Sequence, residues 1–202
     1  MFWLVCAIAV IAERSVYLWG ASINKDVFLA TMQKCILAGD VAKAVKMCSA
    51  ANAPLARIIQ AGLVKVNRPD EEVQAAMDEM ALKEMPKIAR RTGYLALFAN
   101  LAMLSGLFGT IIGLIRAFGA VGGEAVDPSQ KARILAEGIS EAMNCTAFGL
   151  ISAIVALMGF AVLNGKTQGL EDDINEASVQ VLNLVVANRQ KVNLQGLEQA
   201  GG

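Results

Sequence analysis

The stretch LSGLFGTIIGLIRAF, residues 104–118, poses the fold problem because it places three glycines and a threonine in an apolar run. The glycines are Gly106, Gly109 and Gly113, and the threonine is Thr110. In water, a glycine inside a helix costs about 1 kcal/mol relative to alanine. In a bilayer, small residues instead mark the faces where helices pack closely, because lipid tails are as apolar as leucine. The stretch therefore favours a membrane helix with one tightly packed face that carries a hydroxyl group.

Two long runs contain no charged residue. The first, residues 93–115, overlaps this stretch, and the second, residues 142–163, follows it. A membrane-spanning helix needs about 20 predominantly apolar residues, so both runs are predicted to span. A third apolar run, residues 1–12, is followed by ERSVYLWG. It lacks the positive start and the small-residue cleavage site of a signal peptide. We interpret residues 1–19 as a first span whose outer end is short or truncated.

The composition excludes several classes of function. Lysine plus arginine and aspartate plus glutamate number 18 each, so net charge gives no indication of nucleic-acid binding. The chain has no histidine, which removes the usual zinc sites and the histidine-dependent nucleophilic triads. Its four cysteines form no CxxC motif and are expected to be reduced and structural. No catalytic residue, metal site or cofactor site is predicted.

The distribution of basic residues predicts the orientation. Twelve lysines and arginines lie in segment 13–91, against three in segment 116–137. By the positive-inside rule the larger segment is cytoplasmic, the N-terminus is periplasmic and the C-terminus is cytoplasmic. The resulting domains are a first span at 1–19, a cytoplasmic helical region at 20–91, a two-span core at 92–165 with a periplasmic loop at 119–131, and a cytoplasmic helix and tail at 166–202.

The cytoplasmic region reads as a series of helices. Asp40 is placed to cap one helix, Pro54 to begin a second and Asp70 to open a third. The third is expected to continue unbroken into the second span, with a kink at Pro86. The tail is expected to extend the third span as an amphipathic helix, with the final LEQAGG frayed.

The third span carries a regular series of small residues. They step by three or four positions along one face: Ala142, Cys145, Gly149, Ser152, Ala156 and Gly159. With the glycines of the second span, they predict a tightly packed bundle that oligomerises. A generic small-residue helix contact explains the glycines alone equally well.

Polar residues in and beside the spans need a further explanation. Thr110 lies near the middle of the second span, Thr146 lies in the third, and Glu141 stands at its outer margin. A membrane threonine often bonds only its own backbone, and Glu141 could be merely interfacial. Ionisable groups in such places also tend to face a water-filled path. Because neither charge-free run contains an aspartate, glutamate, histidine, lysine or arginine, a proton-conducting protein of this kind would need a partner to bring the titrating group.

The core sequence resembles the MotA/TolQ/ExbB proton-channel family, most closely its ExbB and TolQ branch. LSGLFGTIIGLIRAF, a short linker and then GISEAMNCTAFGLISAIVALMGFAVLN carry the resemblance, which covers residues from about 93 to 165. Val155 stands where the family often has proline.

The resemblance implies an all-α integral membrane protein that forms a ring, a homopentamer of three-span subunits in a bacterial inner membrane. Its pore would hold a dimer of an ExbD- or TolR-like single-span partner, which supplies a proton-binding aspartate, and a TonB- or TolA-like protein is a further expected partner. By position, Thr110 and Thr146 would line the pore, and Glu141 would lie on the proton pathway. The complex would use the proton motive force for work at the cell envelope.

Three questions stay open from the sequence. The client system could be TonB-type uptake, Tol-Pal maintenance or gliding, and the coupling ion could be H⁺ or Na⁺. The alternative function is a non-conducting oligomeric membrane scaffold. An intramembrane enzyme is disfavoured, because the spans contain no histidine and no paired acids.

Overall fold

The computed structural model describes residues 2–122 and 127–188, and every regular element in these ranges is an α-helix. The prediction of an all-α chain is thereby confirmed. Seven helices follow in chain order: α1 (Phe2–Ala21), α2 (Lys25–Leu37), α3 (Val41–Ala50), α4 (Pro54–Val64), α5 (Asp70–Ala89), α6 (Gly93–Val121) and α7 (Pro128–Ala187).

Three helical stretches are long and apolar enough to cross a membrane, as predicted. They lie within Phe2–Leu37, Asp70–Val121 and Ser129–Ala187. Their large apolar side chains point outward, with Phe108 at 64% exposure and Met158 at 66%. Exposed apolar surface of this extent is unfavourable in water and favourable in lipid.

The chain divides into two compact units, and the first is formed by residues 1–15 and 91–164. Alanines fill much of its interior: Ala7, Ala99, Ala102, Ala142 and Ala156 are each at most 3% exposed. Small side chains therefore lie inside this unit and large ones outside, which is the arrangement expected when close van der Waals contact holds membrane helices together.

The second unit is formed by residues 16–90 and 165–202, described as far as 188. The predicted helix starts are confirmed: the Asp40 carboxylate accepts a hydrogen bond from Lys43 N at 2.9 Å, α4 begins at Pro54 and α5 at Asp70. Helix α4 provides much of the core, because Ile58, Ile59 and five further α4 residues are buried.

Two ionic clusters stabilise the second unit. Lys25 Nζ lies 2.8 Å from Asp173 Oδ1 and 2.7 Å from Glu176 Oε2, which joins α2 to α7. Hydrogen bonds to these carboxylates raise the pKa of the Lys25 ammonium above its usual value. Glu84 is buried with Lys87 at 2.6 Å and Arg57 at 3.4 Å. Burial alone would raise the pKa of Glu84, but the two cations lower it overall.

All four cysteines are free thiols, as expected. Burial, and secondarily the Cys35 thiol, raise the pKa of Cys48 to about 12. Cys48 is therefore a protonated, unreactive core residue at physiological pH.

The expectation of an unbroken helix from α5 into the second span was wrong. Helix α5 ends at Ala89, and Arg91 adopts a left-handed conformation with φ of 68° before α6 begins. Pro86 lies in the last turn of α5, where its missing N–H and its ring weaken the helix. Arg91 also forms an ion pair with Glu13 of α1, and this contact favours the left-handed conformation of Arg91.

The helices on either side of the α6–α7 connection are longer than expected. Helix α6 continues to Val121 and α7 begins at Pro128, both inside the loop expected at 119–131. Residues 123–126 lie outside the described residues. Gly138 lies directly against Ala117, so the two helices still pack against each other beyond the apolar runs, which favours their extension. The amphipathic tail helix is confirmed to Ala187, and the final LEQAGG lies outside the described residues.

Candidate functional site

Helices α6 and α7 meet at backbone contact distance where their glycines face each other. A Cβ atom built on Gly106 would lie 3.0 Å from the Cys145 carbonyl oxygen and 3.1 Å from Gly149 Cα. A Cβ atom on Gly149 would lie 2.9 Å from both Ala102 O and Gly106 Cα. No side chain fits in this contact, so the two glycines determine how closely the helices approach.

The other small residues of the predicted packing set lie along the same bundle. A Cβ atom on Gly113 would lie 3.0 Å from Ala142 Cβ, and one on Gly109 would lie 3.0 Å from Cys145 Cβ. Gly159 lies against Ile11 of α1. Ser152 is buried, and its hydroxyl donates to the Phe148 carbonyl at 2.7 Å.

The close approach of α6 and α7 brings the two threonines together. The Thr110 and Thr146 hydroxyls are hydrogen-bonded to each other. Thr110 Oγ1 also lies 3.1 Å from Gly106 O, in its own helix, and 3.2 Å from Ala142 O in the facing helix. A hydroxyl has one proton and two acceptor lone pairs, so this half-buried pair keeps acceptor capacity for another group.

Glu141 lies in a charged cleft of about 420 Å³ between α6 and α7. Arg116 and Glu137 also line it, and Glu137 pairs with Arg133 at 2.9 Å. Neither threonine lines this cleft. Glu141 and Thr146 are five residues apart, or about 140° around a helix at 3.6 residues per turn, so they lie on different faces of α7.

A second cleft, of about 270 Å³, lies where α1 meets α6 and α7. Trp3, Ser105 and Ser152 contribute its polar atoms. The Trp3 Nε1–H donates to Ser105 Oγ at 2.9 Å, which fixes α1 to α6. This cleft and the charged cleft both have Gly109 and Cys145 in their walls.

Sequence reasoning missed Arg116, Glu137 and the bond between Trp3 and Ser105. A signal for Glu137 was available, because it stands four residues before Glu141 and therefore shares its face of the helix. The bond between α1 and α6 left no such signal, since it joins residues 102 positions apart. Within residues 2–122 and 127–188, no group of three or more metal-ligating side chains is assembled.

These features define the class: an all-helical, multi-pass membrane protein with a hydroxyl pair at a tight helix crossing. A family model described as the MotA/TolQ/ExbB proton channel family matches residues 50–176, which is more than half of the chain. The chain therefore belongs to the MotA/TolQ/ExbB proton channel family. This is a family of proton channel and transport subunits rather than a class of enzymes.

Individual relatives agree with the family match. The biopolymer transport protein ExbB of Pseudomonas putida is 31% identical over 130 residues, covering 64% of this chain and 38% of the relative. The Tol-Pal system protein TolQ of Haemophilus influenzae is 33% identical over 113 residues, covering 54% of this chain and 48% of the relative. The ExbB-like 1 biopolymer transport protein of Synechocystis sp. is 34% identical over 140 residues, covering 69% of this chain and 53% of the relative. The matches thus span between 38% and 53% of the length of these relatives.

Proposed function

We propose that this chain is one subunit of a proton-conducting motor complex in a bacterial inner membrane. Five copies would surround a dimer of an ExbD- or TolR-like single-span partner. The complex would use the proton motive force to energise transport or mechanical work at the cell envelope, with a TonB- or TolA-like protein as a further partner. The N-terminus would be periplasmic, and the second unit would lie in the cytoplasm with the C-terminus.

The observation that carries this proposal is the hydroxyl pair of Thr110 and Thr146 in two runs, 93–115 and 142–163, that contain no aspartate, glutamate, histidine, lysine or arginine. A hydroxyl group can donate to an ionised carboxylate and accept from a protonated carboxyl group. It can therefore stabilise a partner's aspartate in both protonation states, which a fixed charge cannot do. The tight glycine crossing keeps the pair in register.

Glu141 supports the proposal from a different position. It is exposed in a cleft that also contains Arg116 and Glu137, beyond the charge-free run of the third span. We assign it to the water-facing end of the proton pathway, where a carboxylate can exchange protons with solvent. Transfer at depth then depends on the partner's aspartate.

The experiment that tests the assembly is the native mass of the complex in detergent. The chain is co-expressed with an ExbD- or TolR-like single-span protein that carries an aspartate in its membrane helix. A mass of five copies of the chain with two of the partner is expected. A homo-oligomer that does not retain the partner would contradict the proposal, because the chain alone lacks the group that must carry the proton.

A non-conducting scaffold is the second candidate, and one observation favours it. The Thr110 hydroxyl already has three hydrogen-bonding contacts inside the subunit, so it could act only to hold α6 against α7. The two functions differ in what valine does at these positions. Valine preserves side-chain volume and removes the hydroxyl, so an assembled complex of the double variant would conduct less only if the hydroxyls take part in conduction.

A further inference from the structure

The Thr110 hydroxyl is surrounded by more acceptors than it has protons. Its Oγ1 lies 3.1 Å from Gly106 O and 3.2 Å from Ala142 O, and it is also hydrogen-bonded to the Thr146 hydroxyl. A hydroxyl group donates one hydrogen bond and accepts two, whereas a carbonyl oxygen only accepts. The single proton of Thr110 therefore points either at the carbonyl oxygens or at the Thr146 oxygen.

The two carbonyl oxygens determine where that proton points. If Thr110 donated to Thr146, its oxygen would face Gly106 O and Ala142 O with no hydrogen atom in between, and oxygens that carry partial negative charge repel each other. If Thr110 donates to the carbonyl oxygens, one proton can be shared between two acceptors in a three-centre bond. The bond between the threonines is then donated by Thr146.

We infer that Thr110 is a positioning residue, and that Thr146 is the residue that contacts the partner and presents its oxygen as a hydrogen-bond acceptor. Thr146 uses its only proton on Thr110, so its oxygen keeps a lone pair and has no proton to offer. The group that fits it is a hydrogen-bond donor, the protonated form of a carboxyl group. That this carboxyl group belongs to the single-span partner rests on the proposed function.

The surroundings of Thr146 agree with this assignment. Thr146 is half-buried, and within residues 2–122 and 127–188 its hydroxyl bonds only Thr110. Met143 and Leu150 stand three residues before and four after it, so they share its face of α7. They are 66% and 46% exposed, so this face of α7 is not covered by the subunit itself.

No ionised side chain lies at the depth of the pair in the helices that pack together in the first unit. The runs 93–115 and 142–163 contain no aspartate, glutamate, histidine, lysine or arginine, and the neighbouring Cys145 is a free thiol. The nearest charged residues along the three helices are Glu13 and Arg14 of α1, Arg116 of α6 and Glu141 of α7. Each lies beyond the end of an apolar run. Hydrogen bonding, rather than a fixed charge, therefore determines which protonation state of the partner this site favours.

The first test separates the two roles in the purified chain without its partner. Thr110→Val removes the group that links Thr146 to the carbonyl oxygens, whereas Thr146→Val leaves Thr110 bonded to them. We expect the apparent thermal midpoint of Thr110→Val to lie about 2–4 °C below that of Thr146→Val, because it loses about one more hydrogen bond. Thr110→Ser keeps the hydroxyl and should recover part of this loss. A midpoint of Thr110→Val at or above that of Thr146→Val would overturn the inference.

The second test measures the polarity of the pair in the complex with the single-span partner. Dicyclohexylcarbodiimide reacts with protonated carboxyl groups, so the pH at which it labels the partner's membrane aspartate at half the maximal rate reports the protonation of that group. An acceptor favours the protonated form, and its removal means that a higher proton concentration is needed. We therefore expect this pH to fall by about 0.5–1 unit in Thr146→Val.

Thr146→Ser is the matched control, because it keeps the oxygen and should label as the parent complex does. A rise or no change of the labelling pH in Thr146→Val would overturn the inference, since a hydroxyl that donates to the ionised carboxylate has the opposite effect. Neither readout depends on ion flux. A complex that shows the expected shift but conducts no protons would contradict the proposed function alone.

Discussion

Gly149→Ala is the substitution that tests the helix crossing most sharply. The added methyl group would lie 2.9 Å from Ala102 O and 2.9 Å from Gly106 Cα, both of them backbone atoms that cannot rotate away. Helices α6 and α7 must separate by about 0.5 Å to restore ordinary contact in a close-packed interior. Overpacking of this kind costs about 1–3 kcal/mol, while alanine recovers up to about 1 kcal/mol of helix propensity. With the full recovery subtracted, we therefore expect a net loss of up to about 2 kcal/mol.

Gly165→Ala is the matched control, because it is the same change in the same helix. A Cβ atom at Gly165 meets no heavy atom within 4 Å. Only the helix-propensity term applies there, so this variant should gain about 0.5–1 kcal/mol. The assay is the fraction of detergent-purified protein that remains in its native gel-filtration peak after heating, measured as a function of temperature.

We expect the apparent thermal midpoint of Gly149→Ala to lie below that of the parent protein. The midpoint of Gly165→Ala should lie at or above that of the parent protein. A Gly149→Ala midpoint at or above that of the parent protein would refute the argument that the crossing leaves no room for a side chain. A similar loss in both would show instead that glycine itself is needed along α7, for a reason other than packing.

Two further predictions concern the charged cleft and the second unit. Glu141→Ala should reduce proton flux through the reconstituted complex while its native mass is unchanged. Glu137→Ala should reduce the flux less, because Glu137 is already paired with Arg133. An unimpaired Glu141→Ala complex would make Glu141 merely interfacial. Asp40→Ala should lower the free energy of unfolding, measured by chemical denaturation, by about 1 kcal/mol through loss of the cap to Lys43 N. Asp78→Ala, at an exposed mid-helix position, should not lower it. Equal effects of the two substitutions would show that the cap does not contribute.

The membrane-crossing stretches and the helix starts could be predicted because local physics decides them. A charge-free run of about 20 residues has few alternatives to a spanning helix. Asp40 and Pro54 act on the first turn of their own helices, so their sequence positions are sufficient.

The helix break before α6 could not be predicted, because two contributions combine there. Pro86 weakens the last turn of α5, but proline within a helix often produces only a kink. The left-handed Arg91 also pairs with Glu13, a residue 78 positions away. A contact at that separation leaves no local signal in the sequence.

The candidate site could also be predicted only in part from the sequence. The residue types and spacing identify Gly106, Gly149, Thr110 and Thr146 as small or polar positions in the spans. Their pairing across the crossing depends on the register of α6 against α7, which spacing along either helix alone does not determine. The charged cleft was missed for the same reason, since Arg116 lies on α6 and Glu141 on α7.

The most direct test of the central claim is proton flux through the complex of this chain and its single-span partner, reconstituted in vesicles that contain a pH-sensitive dye. The parent complex is compared with the Thr110→Val, Thr146→Val double variant and with Thr31→Val, whose hydroxyl bonds only its own helix at Val27 O, 2.7 Å away. All three complexes are expected to assemble with the same native mass, and only the double variant is expected to lose most of the flux. Undiminished flux in the assembled double variant would contradict this expectation, and the hydroxyl pair would then serve only to hold the two helices together.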